Sequence, residues 1–135
     1  MVLPSVDGGE VDVASYRGRV VVLHVFATWA ATAHGDVDQL SKLFRERSRE
    51  VEIIGIALDQ ERRFIRPWRT AVNAPYVVVL ATEDVRLGHS PLGEIREVPA
   101  TFVLDRTGRI VARIARPLLP DELDPIVRKL LVDDR

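Results

Sequence analysis

Two near-continuous apolar runs dominate the first half of the chain: Val20-Val21-Val22-Leu23-His24-Val25-Phe26-Ala27 and Val51-Glu52-Ile53-Ile54-Gly55-Ile56-Ala57-Leu58. Both are short and rich in β-branched residues, the pattern of central strands covered on both faces. Between them Val37, Leu40, Leu43 and Phe44 recur at helical spacing, while Asp36, Asp38, Lys42, Arg45, Glu46 and Arg49 are polar. This predicts an amphipathic helix with a negative start and a positive end, complementing its dipole. Strand, helix and strand in that order form a βαβ unit with a right-handed crossover.

Beyond it, Gln60 to about Val72 reads as a second helix, with Pro67 expected to kink or split it. The turn signal Asn73-Ala74-Pro75 leads into a strand over Tyr76–Ala81, and Asp84–Gly88 reads as a short helical turn. Ala100–Asp105 and Ile110–Ile114 flank Arg106-Thr107-Gly108, a β-hairpin with a glycine in its loop. Leu123, Ile126, Val127, Leu130 and Leu131 share one face of a final helix over Asp121–Leu131 that packs on the sheet. Near the start, Asp7-Gly8-Gly9 is a turn and Val11-Asp12-Val13 a short strand. The whole reads as one α/β domain over residues 1–135 with a mixed sheet, and without repeats or low-complexity stretches.

Composition narrows the chemistry. The 135 residues include no cysteine, which excludes disulfides and thiolate metal sites. Nineteen basic residues against 20 acidic ones give a net charge of −1, with no global field for nucleic acid or anionic lipid. No apolar run reaches the roughly 18 residues of a membrane span. Met1-Val2-Leu3-Pro4 shows no basic region followed by an apolar stretch, so no signal peptide is expected there.

The first apolar run continues into Thr28-Trp29-Ala30-Ala31-Thr32-Ala33. This segment resembles the active-site segment of TlpA/ResA-like thiol–disulfide oxidoreductases, a branch of the thioredoxin superfamily. In that branch the strand runs through Ala-Thr-Trp into Cys-x-x-Cys at a helix start. Four further stretches fit in the right order: Tyr16-Arg17-Gly18-Arg19, Ile54–Asp59, Val98-Pro99-Ala100-Thr101-Phe102 and Phe102–Ile110. The resemblance covers nearly the whole chain. It implies a thioredoxin-like fold, with a central mixed β-sheet and helices on both faces. It also implies a cis peptide bond at Val98–Pro99, a loop that helps hold substrate peptide, and an extracytoplasmic setting.

The departure from the family concerns its chemistry. Ala30 and Ala33 stand at the dithiol positions. A family enzyme uses a thiolate stabilised at a helix N-terminus to attack a disulfide, and a second thiol to resolve the mixed disulfide. A methyl group does neither. What remains by resemblance is a groove for an extended peptide or protein partner, with Trp29, Ala31, Thr32, Val98 and Pro99 as its binding residues and no cofactor. Trp29 reads equally as a contact surface or as filler over the helix start.

The other polar residues read as structural. His24 occupies the position of the buried Asp of thioredoxins, often Asn in this branch, and reads as a hydrogen-bonded core histidine. His24, His34 and His89 lack metal-ligand spacing. Asp59, near an acid that assists thiol deprotonation in family members, reads as the N-cap of the helix from Gln60. Thr28 and Thr32 read as structural or capping residues, because no adjacent base would activate a hydroxyl. Glu61, Arg62, Arg63, Arg66 and Arg69 suggest an anionic partner or, more simply, a solvated helix face.

Three readings of function follow. The preferred one is a degenerate thioredoxin-like domain with a binding or regulatory role. It draws support from drift beyond the cysteine positions, at His34-Gly35-Asp36-Val37. The second is an engineered Cys→Ala form of an oxidoreductase that reduces protein disulfides. The third, a hydrolase with another nucleophile, lacks any Ser–His–acid arrangement at this site.

Overall fold

Val20–Phe26 is buried at every position, which satisfies a run with almost no polar side chain to offer water. The computed structural model describes residues 1–29, 33–59 and 61–133. Its elements are β1 (Val2–Pro4), β2 (Glu10–Asp12), a 3-10 turn (Val13–Tyr16), β3 (Val20–Phe26), α1 (Ala33–Arg47), β4 (Val51–Ala57) and α2 (Arg62–Val72). β5 (Val77–Leu80), α3 (Glu83–Leu87), β6 (Ala100–Leu104), β7 (Ile110–Ile114) and α4 (Leu123–Asp133) complete the chain. Five strands form one sheet in the order β5-β4-β3-β6-β7. β3 pairs in parallel with β4, and β4 with β5; β6 runs antiparallel to both β3 and β7, so the sheet is mixed.

Alternation along β3 divides the core in two. Val20, Val22 and Phe26 pack with Val37, Leu40 and Leu43 of α1, Ile65 and Trp68 of α2, and Leu123, Val127 and Leu131 of α4. Val21, Leu23 and Val25 point the other way, toward Leu3, Val13, Val85 of α3 and Leu92. Helices lie on both faces, but the three long ones share a face and the opposite face is covered by short elements. Gly55 in β4 is required by this packing. A Cβ there would meet the rings of Phe26 and Tyr76 at 3.2 Å each.

Several local expectations are corrected. Pro67 does not split α2, which runs continuously over Arg62–Val72. The proline removes one intrahelical hydrogen bond, and burial of Ile65 and Trp68 beside it holds the helix. The helix begins later than Gln60, with Glu61 at its N-cap position, so Asp59 is not its cap. β1 was not legible in Met1–Pro4, and Val13 belongs to the 3-10 turn rather than to β2.

Three of the four arginines of α2 serve the fold. Arg62 donates to the carbonyl of Ser5 and Arg66 to that of Val6, while Arg69 pairs with Asp7. They pin the loop before β2 against the sheet, where Val6 N–H donates to Val78 O at 3.1 Å and covers the edge of β5. Among the described residues, no helix is long and apolar enough to cross a membrane.

Candidate functional site

Parallel pairing of β3 with β4 sets Phe26 beside Ala57, so Thr28 and Asp59 emerge together at the C-terminal end of the sheet. Asp59 is buried and accepts two hydrogen bonds from Thr28, from its N–H at 3.0 Å and its hydroxyl at 2.5 Å. This corrects the capping role expected of Asp59. Its carboxylate clamps the end of β3, and the next residue, Trp29, projects with 70 % of its surface exposed. That degree of exposure excludes the filler role for the indole. Thr28, Trp29, Leu58, Asp59, Glu61 and Phe64 line one open groove.

Antiparallel pairing of β3 with β6 sets Val25 opposite Ala100 and brings the preceding Val98–Pro99 to the same end of the sheet. The Val98–Pro99 bond is cis, as the resemblance implies. Pro99 is buried and Val98 half-buried. The groove at Trp29 does not include this pair; a second groove lies alongside, between Glu94–Glu97, Ala100–Phe102 and Arg113–Ala115. Ala30, Ala31 and Thr32 lie outside the described residues, and Ala33 is the first residue of α1.

Beneath the start of α1 sits a buried polar cluster. His24 and Thr101, neighbours across β3 and β6, share a hydrogen bond of 3.0 Å at Nδ1. On the other side of the ring, Nε2 faces Asp36 Oδ2 at 3.5 Å. Asp36 Oδ1 accepts the N–H of Leu118 at 2.9 Å, tying α1 to the segment before α4. Both side chains are almost wholly buried, 1 % exposed for His24 and 2 % for Asp36. Burial pushes the His24 pKa down to about 4, so the ring is neutral at pH 7. Either tautomer of a neutral ring satisfies the bond to Thr101, and neither Nε2 nor Asp36 Oδ2 has a hydrogen-bond partner among the described residues. Burial also raises the pKa of Asp36, against the lowering effect of the Leu118 N–H. Tyr76 adds a buried hydroxyl whose pKa is raised by burial and by the Asp36 charge. Its Oη makes no hydrogen bond among the described residues.

His24 is thus the hydrogen-bonded core histidine that the sequence suggests. Asp36 is not the exposed first-turn acid expected of an amphipathic helix. Its phase was a usable signal, since Asp36, Leu40 and Leu43 follow the spacing of the buried stripe. Phe64 was also missed, an aromatic side chain set among arginines and 54 % exposed. Among the described residues, no group of three or more His, Asp or Glu side chains could hold a metal ion.

The model of the AhpC/TSA family matches residues 1–113. The chain belongs to that family. Within it, the thiol:disulfide interchange protein DsbE of Haemophilus influenzae is 34 % identical over 118 residues, covering 84 % of this chain and 62 % of the relative. The thiol-disulfide oxidoreductase ResA of Bacillus cereus is 18 % identical over 130 residues, covering 96 % of this chain and 73 % of the relative. The chain therefore spans less than two thirds of the length of this DsbE. Among solved structures, a thiol:disulfide interchange protein of the thioredoxin family from Chlorobium tepidum superposes with a TM-score of 0.78 at 26 % identity. It covers 97 % of this chain and 92 % of its own. A secreted thiol-disulfide isomerase from Corynebacterium glutamicum reaches a TM-score of 0.86 at 18 % identity, covering 98 % and 83 %, and supports the fold. This AhpC/TSA chain is a thioredoxin-like domain related to DsbE and ResA. Having no cysteine, it lacks the redox pair.

Proposed function

We propose that this domain binds an extended peptide or protein segment at the end of the sheet where Trp29 and Val98–Pro99 emerge, without exchanging disulfides. The observation that carries the reading is the indole of Trp29, 70 % exposed on the residue directly after Thr28, which Asp59 holds by two hydrogen bonds. An exposed, positioned tryptophan supplies large contact area at low ordering cost, the feature shared by interface anchors. A random heptapeptide library panned against the wild-type protein and against Trp29→Ala tests it. Enriched peptides are expected to bind the wild type at least about tenfold more tightly, as for an anchor residue. Enrichment that ignores the substitution would overturn the reading.

A second reading, the alanine form of an enzyme that reduces protein disulfides, is favoured by the His24–Asp36 pair beneath α1. A buried proton-accepting pair has no thiol to serve in this chain. The Ala30→Cys/Ala33→Cys variant should then reduce insulin in the presence of dithiothreitol faster than dithiothreitol alone. No acceleration by a folded double variant would remove this reading.

A further inference from the structure

Eight aromatic residues of the Phe, Trp and Tyr types occur in the chain, and the two with strongly exposed rings, Trp29 and Phe64, line the same groove. Leu58 contributes the remaining apolar lining, and the charged side chains of the lining are the carboxylates Asp59 and Glu61. Aromatic rings and carboxylates lining one groove form an environment for an organic cation. The ring quadrupole attracts positive charge and the carboxylate supplies its counter-charge. The same chemistry already operates at the rim. Arg63 lies 5.0 Å from the centroid of Phe64 and pairs with Glu61. A guanidinium is thus stacked on one groove ring and held by one groove carboxylate, from within the chain.

From this juxtaposition we infer that the groove between Trp29 and Phe64 receives an arginine side chain of the partner peptide, and that Arg63 is its intramolecular competitor. The inference rests on the peptide-binding reading above and names the partner's chemistry. Arginine fits better than lysine because its planar fork can stack on a ring and engage a carboxylate with two parallel N–H groups at once. Asp59 is engaged with Thr28, so Glu61 is the carboxylate an incoming guanidinium takes over, displacing Arg63 into solvent. The net charge of −1 gives no long-range attraction. Selectivity must arise within the groove.

The competitor makes the test sharp, because two substitutions on neighbouring residues have opposite signs. The peptide acetyl-Gly-Gly-Arg-Gly-Gly-amide is titrated into the full chain and the indole N–H signals are followed by NMR, with Trp68 as internal reference. Saturable movement of the Trp29 signal is expected, with little movement of Trp68. Glu61→Gln should weaken binding about threefold, and Arg63→Ala should tighten it by a similar factor, the scale of one exposed ion pair plus one cation–π contact. Arg45→Ala, on the exposed face of α1, removes the same charge and should leave affinity unchanged. Citrulline in place of arginine should abolish binding, and lysine should weaken it.

Citrulline or lysine binding as well as arginine would overturn the inference. So would an Arg63→Ala effect no larger than that of Arg45→Ala. If library peptides bind through Trp29 while the arginine pentapeptide moves nothing, the inference falls and the peptide-binding reading stands. If neither binds, both fall.

Discussion

Two regions a few residues apart treat polarity in opposite ways. Under the start of α1, the polar side chains of His24, Asp36 and Thr101 are enclosed by the core. At the rim above, the apolar rings of Trp29 and Phe64 stand in solvent. The interior arrangement is enforced by desolvation, because losing the Thr101 bond to His24 or the Leu118 bond to Asp36 would leave further buried polar atoms unpartnered. The rim arrangement is not enforced by packing at all, since exposed rings contribute little to the folded state. The interior cluster can therefore persist for the sake of the fold alone, with or without thiols to serve. The rim has no such reason to persist, and the proposed recognition role would supply one.

Substitutions can break that contrast. The largest effect is expected at Asp36→Ala, which leaves the Leu118 N–H without its buried acceptor and opens a gap beside the His24 ring, and should cost about 3 kcal/mol in urea unfolding. Asp36→Asn keeps an acceptor for Leu118 and should cost about 1 kcal/mol or less, because it also removes a buried charge. Equal losses in the two variants would show that the Leu118 bond contributes nothing.

Next is the pH dependence set by His24. Its folded pKa of about 4 lies below the ordinary 6.5, so the unfolded chain takes up the proton first. Stability is full above pH 6.5 and falls as pH drops toward 4; the gap corresponds to about 3 kcal/mol. Asp36 acts in the opposite sense, since its raised pKa relieves the fold as pH falls through it. The carboxyls of Asp7, Asp105 and Asp124, held low chiefly by hydrogen bonds, lose their contribution only below the ordinary 3.8. A decline in unfolding free energy between pH 6.5 and 5 therefore reports on His24. A flat profile there in the wild type would mean that desolvation of the ring does not outweigh the opposing titration of Asp36.

Gly55→Ala should cost about 2 kcal/mol, because the added methyl must push apart Phe26 and Tyr76, which lie 3.2 Å from its position on either side. Thermal unfolding measures it. The smallest effect belongs to the rim. Trp29→Ala should change stability by no more than about 0.5 kcal/mol while removing peptide binding. A loss comparable to that of Asp36→Ala would place the indole in the fold's support and erase the distinction between the two regions.

The sequence made the scaffold legible where a pattern was both strong and local. The β-branched runs of β3 and β4, the stripe Val37–Leu40–Leu43 and the hairpin around Gly108 all follow from periodicity and turn chemistry. The cis bond at Val98–Pro99 was legible only through resemblance. What escaped depended on distant partners. Asp36 looks like a first-turn acid that complements a helix dipole; its phase with Leu40 and Leu43 signals burial, but nothing local identifies His24 and Leu118 as its neighbours. Arg62, Arg66 and Arg69 look like a solvated face because the groups they hold, the carbonyls of Ser5 and Val6 and the carboxylate of Asp7, are some 60 positions away. Pro67 argues locally for a break, and the buried contacts of Trp68 outweigh it. Phe64 is anomalous only once its exposure is known.

The bond from Leu118 N–H to Asp36 Oδ1 joins positions 82 apart. It makes the beginning of α1 and the approach to α4 a single cooperative latch. Loosening the C-terminal helix, by truncation or by a partner that competes for it, withdraws the donor that steadies Asp36 in the first turn of α1. A disturbance in the last fifth of the chain is thereby transmitted to the helix that starts four residues after Trp29. The first turn of α1 and the segment before α4 are held by the same bond.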